Sequence, residues 1–362
     1  MVGPDLLVIL DGASEPLAGA EETSLERART PTLDALARDG SLSRLRTVPA
    51  GLAPGSEVAI PVLLGWPPTA PVDRGAIEAA AHEVEVPPRE RAWRVDVLGG
   101  RASAAHPDVA SIRRAARALR IGAPAHAVHQ IDGHRLLLVG PAPLPEAAWA
   151  PYLRVWPEGV AVPRTLDATT LVVAARGACA GVARMLGARL VVPDGATGDT
   201  DTALAAKASA ATEALTAGAP HVVVHAAGAD AAAHERDAAA KVAFLERVDR
   251  ELIAPLADAV ARAGGTLRVC PDHGCDPATG RHDAHPVPCL IWPGPGPSGG
   301  RASADAGADA AAATADVASV SAAAPAAVAA APGAGASTPR RLTERAVAGL
   351  AVTDLPARLV VV

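Results

Sequence analysis

The sequence contains almost no lysine, no C-x-x-C pair of cysteines and no long apolar run. Of its 33 basic residues only Lys207 and Lys241 are lysine, and arginine cannot replace the compact ammonium of a lysine. Both positions are therefore candidates for a functional role. The four cysteines include no C-x-x-C pair, which is typical of free thiols in a cytoplasmic protein.

Further absences restrict the class of protein. No stretch of about 18 strongly apolar residues is present, so we expect no membrane span. The N-terminal region has no basic segment followed by an apolar run, so we expect no signal peptide and predict a cytoplasmic location. The formal net charge of −6 disfavours a nucleic-acid partner, which would require a basic surface. The sequence gives no indication of the oligomeric state.

Half of the 362 residues are apolar, which is enough for a sizeable core in one large domain or two. The apolar run 6–10 ends at Asp11-Gly12, which predicts a buried strand followed by a turn. The segment 30–39 begins with Thr-Pro and stops before Gly40, which predicts a helix. Further strands are predicted at 189–192, 221–225, 266–270 and 289–292, and helices at 202–217 and 238–263. This alternation predicts an α/β fold with a mostly parallel sheet covered by helices on both faces.

The segment 71–180 differs from the rest of the chain, because its strand patterns are weaker and proline-rich breaks interrupt it. We interpret it as a smaller α+β domain inserted into a discontinuous core formed by residues 1–70 and 181–362. From 294 to 338 the composition falls to Ala, Gly, Pro, Ser and Asp, which predicts a disordered insertion within that core. The apolar pattern resumes at 342–362, where we expect the chain to return to the sheet edge.

Acidic and histidine side chains follow three of the predicted strands, at the edge where open parallel sheets bind ligands. They are Asp11, Asp230, His234, Asp272, His273, with His282 further along the chain. Four of them have an ordinary interpretation: Asp11 as an Asp-Gly turn, Asp230 and His234 as a solvated helix face, and His282 as a surface histidine. The adjacent pair Asp272-His273 is a less common turn sequence. Together they form a mixed oxygen and nitrogen set that suits two ions of Mn²⁺ or Zn²⁺.

Ser56 is the candidate nucleophile. It follows Pro54-Gly55 at the start of a predicted helix, and taken alone it is an ordinary N-cap. A serine at a helix N-terminus also has backbone N–H groups directed at any anion attached to it. A neighbouring metal ion would lower the pKa of its hydroxyl and stabilise charge on a phosphoryl group.

These residues, with their order and spacing, resemble the archaeal-type cofactor-independent phosphoglycerate mutases of the alkaline phosphatase superfamily. The resemblance covers the first 80 residues and about 181–292. Its motifs are Asp11-Gly12, TPTLDALA at 30–37, PGSEVA at 54–59, LLGW at 63–66, RGAIEA at 74–79, GVAR at 181–184, GATG at 195–198, Lys207, Asp230-x-x-x-His234, Asp237, Lys241, Asp249, Pro271-Asp272-His273 and His282-x-x-x-Pro286-Val287-Pro288.

The resemblance implies one ion held by Asp11, Ser56, Asp272 and His273, and a second held by Asp230, His234 and His282. It implies that Ser56 becomes a phosphoserine, that Arg74 and Lys207 bind the phosphate or carboxylate of a small phosphorylated substrate, and that no 2,3-bisphosphoglycerate is needed. His285 is left out of the ligand set. The family's arginine-rich substrate segment is not recognisable; Gly99-Gly100-Arg101 is a candidate remnant, and Arg94 and Arg176 lie near positions where the family has arginines.

The resemblance predicts interconversion of 3-phosphoglycerate and 2-phosphoglycerate. Two alternatives stay open at this point. The same metal site would also serve a hydrolase of phosphate or related esters, and the reduced substrate segment is compatible with it. A non-catalytic binding protein descended from the enzyme would be expected to have lost a ligand, and all seven are present.

Overall fold

The apolar strand Asp5–Leu10 lies in the interior of the main sheet, and each of its two faces packs into a hydrophobic core. The computed structural model describes residues 3–18, 21–98, 107–295 and 341–354. The segment 294–338, predicted to be a disordered insertion, lies outside the described residues from residue 296 onward. Residues 99–101, the candidate remnant of the arginine-rich substrate segment, also lie outside them. Within the described ranges, no helix is long and apolar enough to cross a membrane.

The bounds of the described elements, in chain order, are as follows. The strands are β1 (Asp5–Leu10), β2 (Ser41–Arg46), β3 (Arg91–Val97), β4 (Ala127–Asp132), β5 (Arg135–Gly140), β6 (Leu153–Val155), β7 (Thr170–Val173), β8 (Arg189–Val191), β9 (His221–Ala226), β10 (Thr266–Pro271), β11 (Gly274–Asp276), β12 (Arg281–Asp283), β13 (Val287–Trp292) and β14 (Val352–Asp354). The α-helices are α1 (Ser24–Arg27), α2 (Pro31–Asp39), α3 (Ser56–Leu63), α4 (Arg74–His82), α5 (Val109–Gly122), α6 (Ala178–Leu186), α7 (Leu204–Thr216), α8 (Gly228–His234), α9 (Ala238–Val248), α10 (Ala254–Ala263) and α11 (Glu344–Val347). A 3₁₀ turn spans Glu146–Trp149, and the π-helical turn Asp249–Ile253 joins α9 to α10.

Eight strands form the main sheet in the order β14-β2-β13-β10-β1-β9-β7-β8. The five strands from β10 to β8 run parallel, and β13 is antiparallel to both of its neighbours. Leu6, Val8 and Leu10 enter one core with α2, α7, α9 and α10, whereas Leu7 and Ile9 enter another with α3 and α6. The predicted α/β fold with a mostly parallel sheet covered on both faces is therefore confirmed.

The C-terminal described segment returns to the edge of this sheet, as expected. β14 pairs in parallel with β2, and Arg46 of β2 forms a salt bridge with Asp354. The predicted strands and helices of the core are present within a few residues of their expected bounds.

A second sheet of four antiparallel strands has the order β4-β5-β3-β6. One face packs on α5 and the other on α4. Helix α4 also packs on α6 of the main core, where a Cβ on Gly181 would lie 2.0 Å from the carbonyl oxygen of Ile77. This glycine permits the close approach that joins the two sheets. Strand β7 belongs to the main sheet, although the prediction assigned 71–180 to the insertion; the division into domains stays a prediction.

Candidate active site

The carboxyl ends of three neighbouring parallel strands bring the predicted ligands together. Strands β9, β1 and β10 lie side by side in the sheet. Asp11 follows β1, Asp272 and His273 follow β10, and Asp230 and His234 lie on α8 directly after β9. Because parallel strands end at the same edge, residues separated by more than 200 positions become neighbours.

The turn after β1 is shaped for this proximity. Gly12 has a φ of 61°, and a Cβ on it would lie 2.6 Å from Oδ1 of Asp230. Its backbone N–H donates to Oδ1 of Asp272 at 3.0 Å. A glycine is needed here, because any side chain would collide with Asp230 and would be strained in the left-handed region.

Ser56 is the first residue of α3, and Gly55 occupies the N-cap position, so the N-cap interpretation of Ser56 is wrong. The Ser56 hydroxyl lies 3.2 Å from Oδ2 of Asp11 and 3.4 Å from Nε2 of His273. The buried hydroxyl therefore faces the carboxylate and imidazole groups predicted to hold the first ion. The N-terminus of α3 also directs free backbone N–H groups to this point.

The first predicted ligand set is assembled around His273. Its Nε2 lies 3.4 Å from Oδ1 of Asp11 and 3.5 Å from Oδ2 of Asp272. Asp11, Asp230 and His273 each place one ligand atom within 4.8 Å of the others, so Asp230 lies between the two predicted ion positions. Burial lowers the pKa of His273, which favours the neutral imidazole that can act as a ligand.

The second predicted set is assembled around Asp230. Its Oδ2 lies 3.2 Å from Nε2 of His234, and its Oδ1 lies 3.1 Å from Nε2 of His282. The far ring nitrogens are fixed by the backbone, because Nδ1 of His234 lies 3.0 Å from the carbonyl of Gly280 and Nδ1 of His282 lies 3.1 Å from that of Pro54. The Sγ of Cys275 belongs to the same group of atoms, all within 4.8 Å of one another.

The charges and unused acceptors of these residues fit divalent cations. Oδ2 of Asp272 and Oδ1 of Asp230 are buried and have no partner in hydrogen-bonding geometry, even with His282 close to the latter. Burial raises the pKa of Asp272 well above its ordinary value, and the negative charges of Asp11 and Asp230 raise it further. Buried carboxylate oxygens without hydrogen bonds are costly, and cations between these two residues would remove that cost.

A cavity of about 570 Å³ opens over Ser56. Its wall contains Asp11, Asp230 and His234 together with three arginines, Arg74, Arg135 and Arg176. The N-terminal residues of α6 also line it, which adds a second helix N-terminus suited to an anion. The cavity therefore combines the candidate nucleophile, the candidate metal ligands and cationic groups suited to a negatively charged substrate.

Arg74 is held rigidly at the cavity wall. It donates to Oε2 of Glu57 at 2.8 Å and to Oε1 of Glu78 at 2.9 Å. The guanidinium of Arg94 shares Glu78, forms a salt bridge with Asp96, and lies over the ring of Trp156 at 4.6 Å. Burial lowers the pKa of Arg94 to about 10.

Two of the four predicted substrate residues do not reach this cavity. Among the described residues that form its wall, Arg94 and Lys207 are absent. Arg94 is committed to the buried ion pairs with Glu78 and Asp96. Lys207 is fully buried beneath the sheet edge, where its ammonium donates to the carbonyl of His225 at 2.9 Å. We therefore correct the predicted direct contacts of Lys207 and Arg94 with substrate.

Three residues of the site escaped the sequence analysis. His225 lines the cavity, and its Nε2 lies 3.0 Å from Oδ2 of Asp11. Its place as the last residue of a predicted strand was the available signal. Cys275 follows His273 by two positions, and this closeness to a predicted ligand was the available signal. The sequence interpretation treated the cysteines only as possible C-x-x-C pairs. Arg135 opens β5 in the weakly patterned segment, where the sequence offered no signal.

Comparison with known proteins gives the family. The protein-family model described as Metalloenzyme superfamily matches residues 3–318 of the chain. The chain is 30% identical to 2,3-bisphosphoglycerate-independent phosphoglycerate mutase 1 of Archaeoglobus fulgidus, across 80% of this chain and 88% of the relative. It is 28% identical to the 2,3-bisphosphoglycerate-independent phosphoglycerate mutase of Methanopyrus kandleri, across 79% and 87%. The solved structure of the PH0037 protein from Pyrococcus horikoshii shares the fold with a TM-score of 0.67 at 23% identity, covering 82% of this chain and 89% of that one. The chain therefore belongs to the metalloenzyme superfamily, among the relatives of the cofactor-independent phosphoglycerate mutases.

Proposed function

We propose that this protein is a cytoplasmic phosphoryl-transfer enzyme that interconverts 3-phosphoglycerate and 2-phosphoglycerate through a phosphoserine at Ser56, with two divalent ions and without 2,3-bisphosphoglycerate. The observation that carries the proposal is the position of the Ser56 hydroxyl. It lies 3.2 Å from Oδ2 of Asp11 and 3.4 Å from Nε2 of His273, in a cavity whose wall also contains three arginines. The activity named for the Archaeoglobus fulgidus and Methanopyrus kandleri relatives supports the choice of substrate.

In the first half-reaction the Ser56 oxygen loses its proton and forms a bond to phosphorus, while the bond from phosphorus to the glycerate oxygen breaks and that oxygen takes up a proton. In the second, the other glycerate hydroxyl loses its proton and attacks phosphorus, the bond to Ser56 breaks, and the Ser56 oxygen regains a proton. The Asp11 carboxylate accepts the hydrogen bond of the Ser56 hydroxyl and so orients the oxygen that attacks. The free N–H groups at the start of α3 lie where the transferred group acquires its charge.

Asp11, Ser56, Asp272 and His273 would hold one ion, and Asp230, His234 and His282 the other. When bound, the ions lower the pKa of the serine hydroxyl and neutralise charge on the phosphoryl group. The mixed oxygen and nitrogen donors suit Mn²⁺ or Zn²⁺.

Arginines from both sheets would hold the rest of the substrate. Arg176 follows β7 of the main sheet, whereas Arg135 opens β5 of the second sheet. Bidentate guanidinium groups are suited to carboxylate and phosphate oxygens. A glycerate held between them can reorient without leaving, which a mutase requires. The smaller sheet would then act as the substrate-covering part of the chain, as predicted for 71–180.

A hydrolase is the second candidate, and the positions of Lys207 and Arg94 favour it. Because neither side chain lines the cavity, fewer cations hold the dephosphorylated glycerate than the sequence predicted. A poorly held glycerate would leave the phosphoserine to water. Weak mutase activity with measurable release of phosphate is therefore the expected behaviour.

The decisive experiment measures both products with metal-loaded protein. We expect 3-phosphoglycerate to give 2-phosphoglycerate in an enolase-coupled assay, with slower release of inorganic phosphate. Ser56→Ala should reduce both by orders of magnitude. Ser24→Ala is the matched control, since Ser24 is also a buried first residue of a helix but lies outside the cavity wall. Phosphate release without 2-phosphoglycerate would favour the hydrolase, and a fully active Ser56→Ala variant would exclude the phosphoserine.

A further inference from the structure

Cys275 lies directly opposite a predicted metal ligand. Strands β11 and β12 form an antiparallel pair in which Cys275 is the partner of His282. Directly opposite residues in such a pair place their side chains on the same face, about 4.5–5.5 Å apart at Cβ. The thiol and the imidazole of His282 are therefore presented to the same space.

That space is the one around Asp230. One ligand atom from each of Asp230, His234, Cys275 and His282 lies within 4.8 Å of all the others. A tetrahedral zinc ion bonds nitrogen and oxygen at about 2.0–2.2 Å and sulfur at about 2.3 Å, so ligand atoms of this spacing can surround one ion after small adjustments. Cys275 itself is completely buried, and a thiol is a weak hydrogen-bonding group that gains little from such a polar environment.

The backbone of Cys275 is held on both sides. Its N–H donates to the carbonyl of Ser14 at 2.9 Å, and its carbonyl accepts from Nζ of Lys241 at 2.7 Å. Lys241 is fully buried and forms a salt bridge with Glu15 at 2.9 Å. A buried lysine fixed in this way positions the main chain of Cys275 rather than contacting solvent or substrate.

We propose that Cys275 is a fourth protein ligand of the ion held by Asp230, His234 and His282, and that it makes this position prefer a thiophilic ion such as Zn²⁺ or Co²⁺ over Mn²⁺. The inference rests on the proposed two-ion site. Binding forms a bond from sulfur to the metal and releases the thiol proton to solvent. Thiolate ligands select softer ions than carboxylates do, so the two predicted positions would differ in metal preference.

Cobalt supplies a direct test, because a thiolate bound to Co²⁺ gives a near-ultraviolet charge-transfer band that oxygen and nitrogen ligands do not. We expect the band when Co²⁺ is added to the metal-free full chain. Cys275→Ser should lose the band while still binding cobalt, with a Zn²⁺ over Mn²⁺ preference at least tenfold lower than that of the wild type. Cys289→Ser is the matched control, a buried thiol in β13 outside the cluster, and should keep the band.

Zinc-edge X-ray absorption of the wild-type protein provides a measurement that needs no variant. A sulfur shell at about 2.3 Å from zinc is expected. Bound cobalt or zinc without any sulfur signal would overturn the role of Cys275 and leave the two-ion site intact. Protein that binds neither ion would overturn both this inference and the proposed function. A band that persists in Cys275→Ser would show that another thiol is responsible and would also refute the assignment.

Discussion

Nε2 of His234 and Nε2 of His282 lie 2.8 Å apart, although 48 positions separate the two residues. Both atoms also face the carboxylate of Asp230, at 3.2 Å and 3.1 Å. Two ring nitrogens this close must share a proton or face a common cation. After a small separation of the two nitrogens, both imidazoles could bind one ion.

We therefore expect purified protein to hold about two divalent ions per chain and His282→Gln to hold about one. Elemental analysis after gel filtration measures the stoichiometry. His285→Gln is the control, because His285 follows three positions later but contacts Asp283 and Ser14 instead of Asp230. Exhaustive chelation of the wild type should abolish activity, and Mn²⁺ or Zn²⁺ should restore it. Two ions retained by His282→Gln would contradict the assignment.

Asp272→Asn should make the metal-free protein more stable. It should also reduce the stabilisation that added divalent ions provide. Oδ1 of Asp272 accepts from the N–H groups of Gly12 and His273, and asparagine can retain both bonds. Oδ2 is buried without a partner beside Asp11, so a neutral amide there avoids the cost of a buried, crowded carboxylate.

Thermal unfolding with chelator should show an increase in Tm of roughly 2–5 °C for Asp272→Asn. Addition of Zn²⁺ should raise the Tm of the wild type far more than that of the variant. Asp199→Asn removes an exposed carboxylate from the cavity rim and should change neither response. A lower Tm of Asp272→Asn in chelator would show that burying the Asp272 carboxyl group does not destabilise the metal-free protein.

Arg135→Gln and Arg176→Gln should each lower kcat/KM by about 10–100-fold, the loss expected for one charge-assisted hydrogen bond. Because both side chains face the cavity, the substitutions should also raise the share of phosphate release over isomerisation. Steady-state assays of both products measure the two effects. Arg189→Gln, at an exposed position of β8 outside the cavity wall, should behave as the wild type. Unchanged kinetics in both cavity variants would mean that the substrate binds elsewhere.

Lys207 predicts a pH dependence of stability. Burial lowers its pKa to about 8, from an ordinary value near 10.5. Between these values the unfolded chain binds more protons than the folded one, so the contribution of Lys207 to the free energy of unfolding rises as the pH rises from about 8 to 10.5. Below pH 8 the full cost of the buried charge is present.

The difference in unfolding free energy between the wild type and Lys207→Met isolates this contribution, because the other groups titrate alike in both. We expect the difference to shift in favour of the wild type by roughly 2–3 kcal/mol between pH 7 and pH 10.5. Urea unfolding at several pH values measures it. A difference independent of pH would show that the ammonium is not buried as described.

The sequence alone determined the α/β class, because strands and helices alternate with periodicities that depend on local apolar pattern. It also determined which residue types could bind metal, since Asp11, Asp230 and Asp272-His273 follow apolar runs that form adjacent strands. The resemblance to known enzymes then implied which of these residues would hold each of the two ions.

Tertiary structure decided which side chains reach the cavity. Lys207 matched a family motif, yet it lies beneath β9 and supports the carbonyl of His225. Lys241, which also matched a family motif, donates a hydrogen bond to the carbonyl of Cys275. Arg135 lines the cavity from β5, a strand whose sequence does not indicate a substrate-binding residue. Sequence spacing describes neighbours along one element, whereas depth and direction depend on how separate elements pack. For that reason the chemistry of this site was visible in the residues, and its geometry was not.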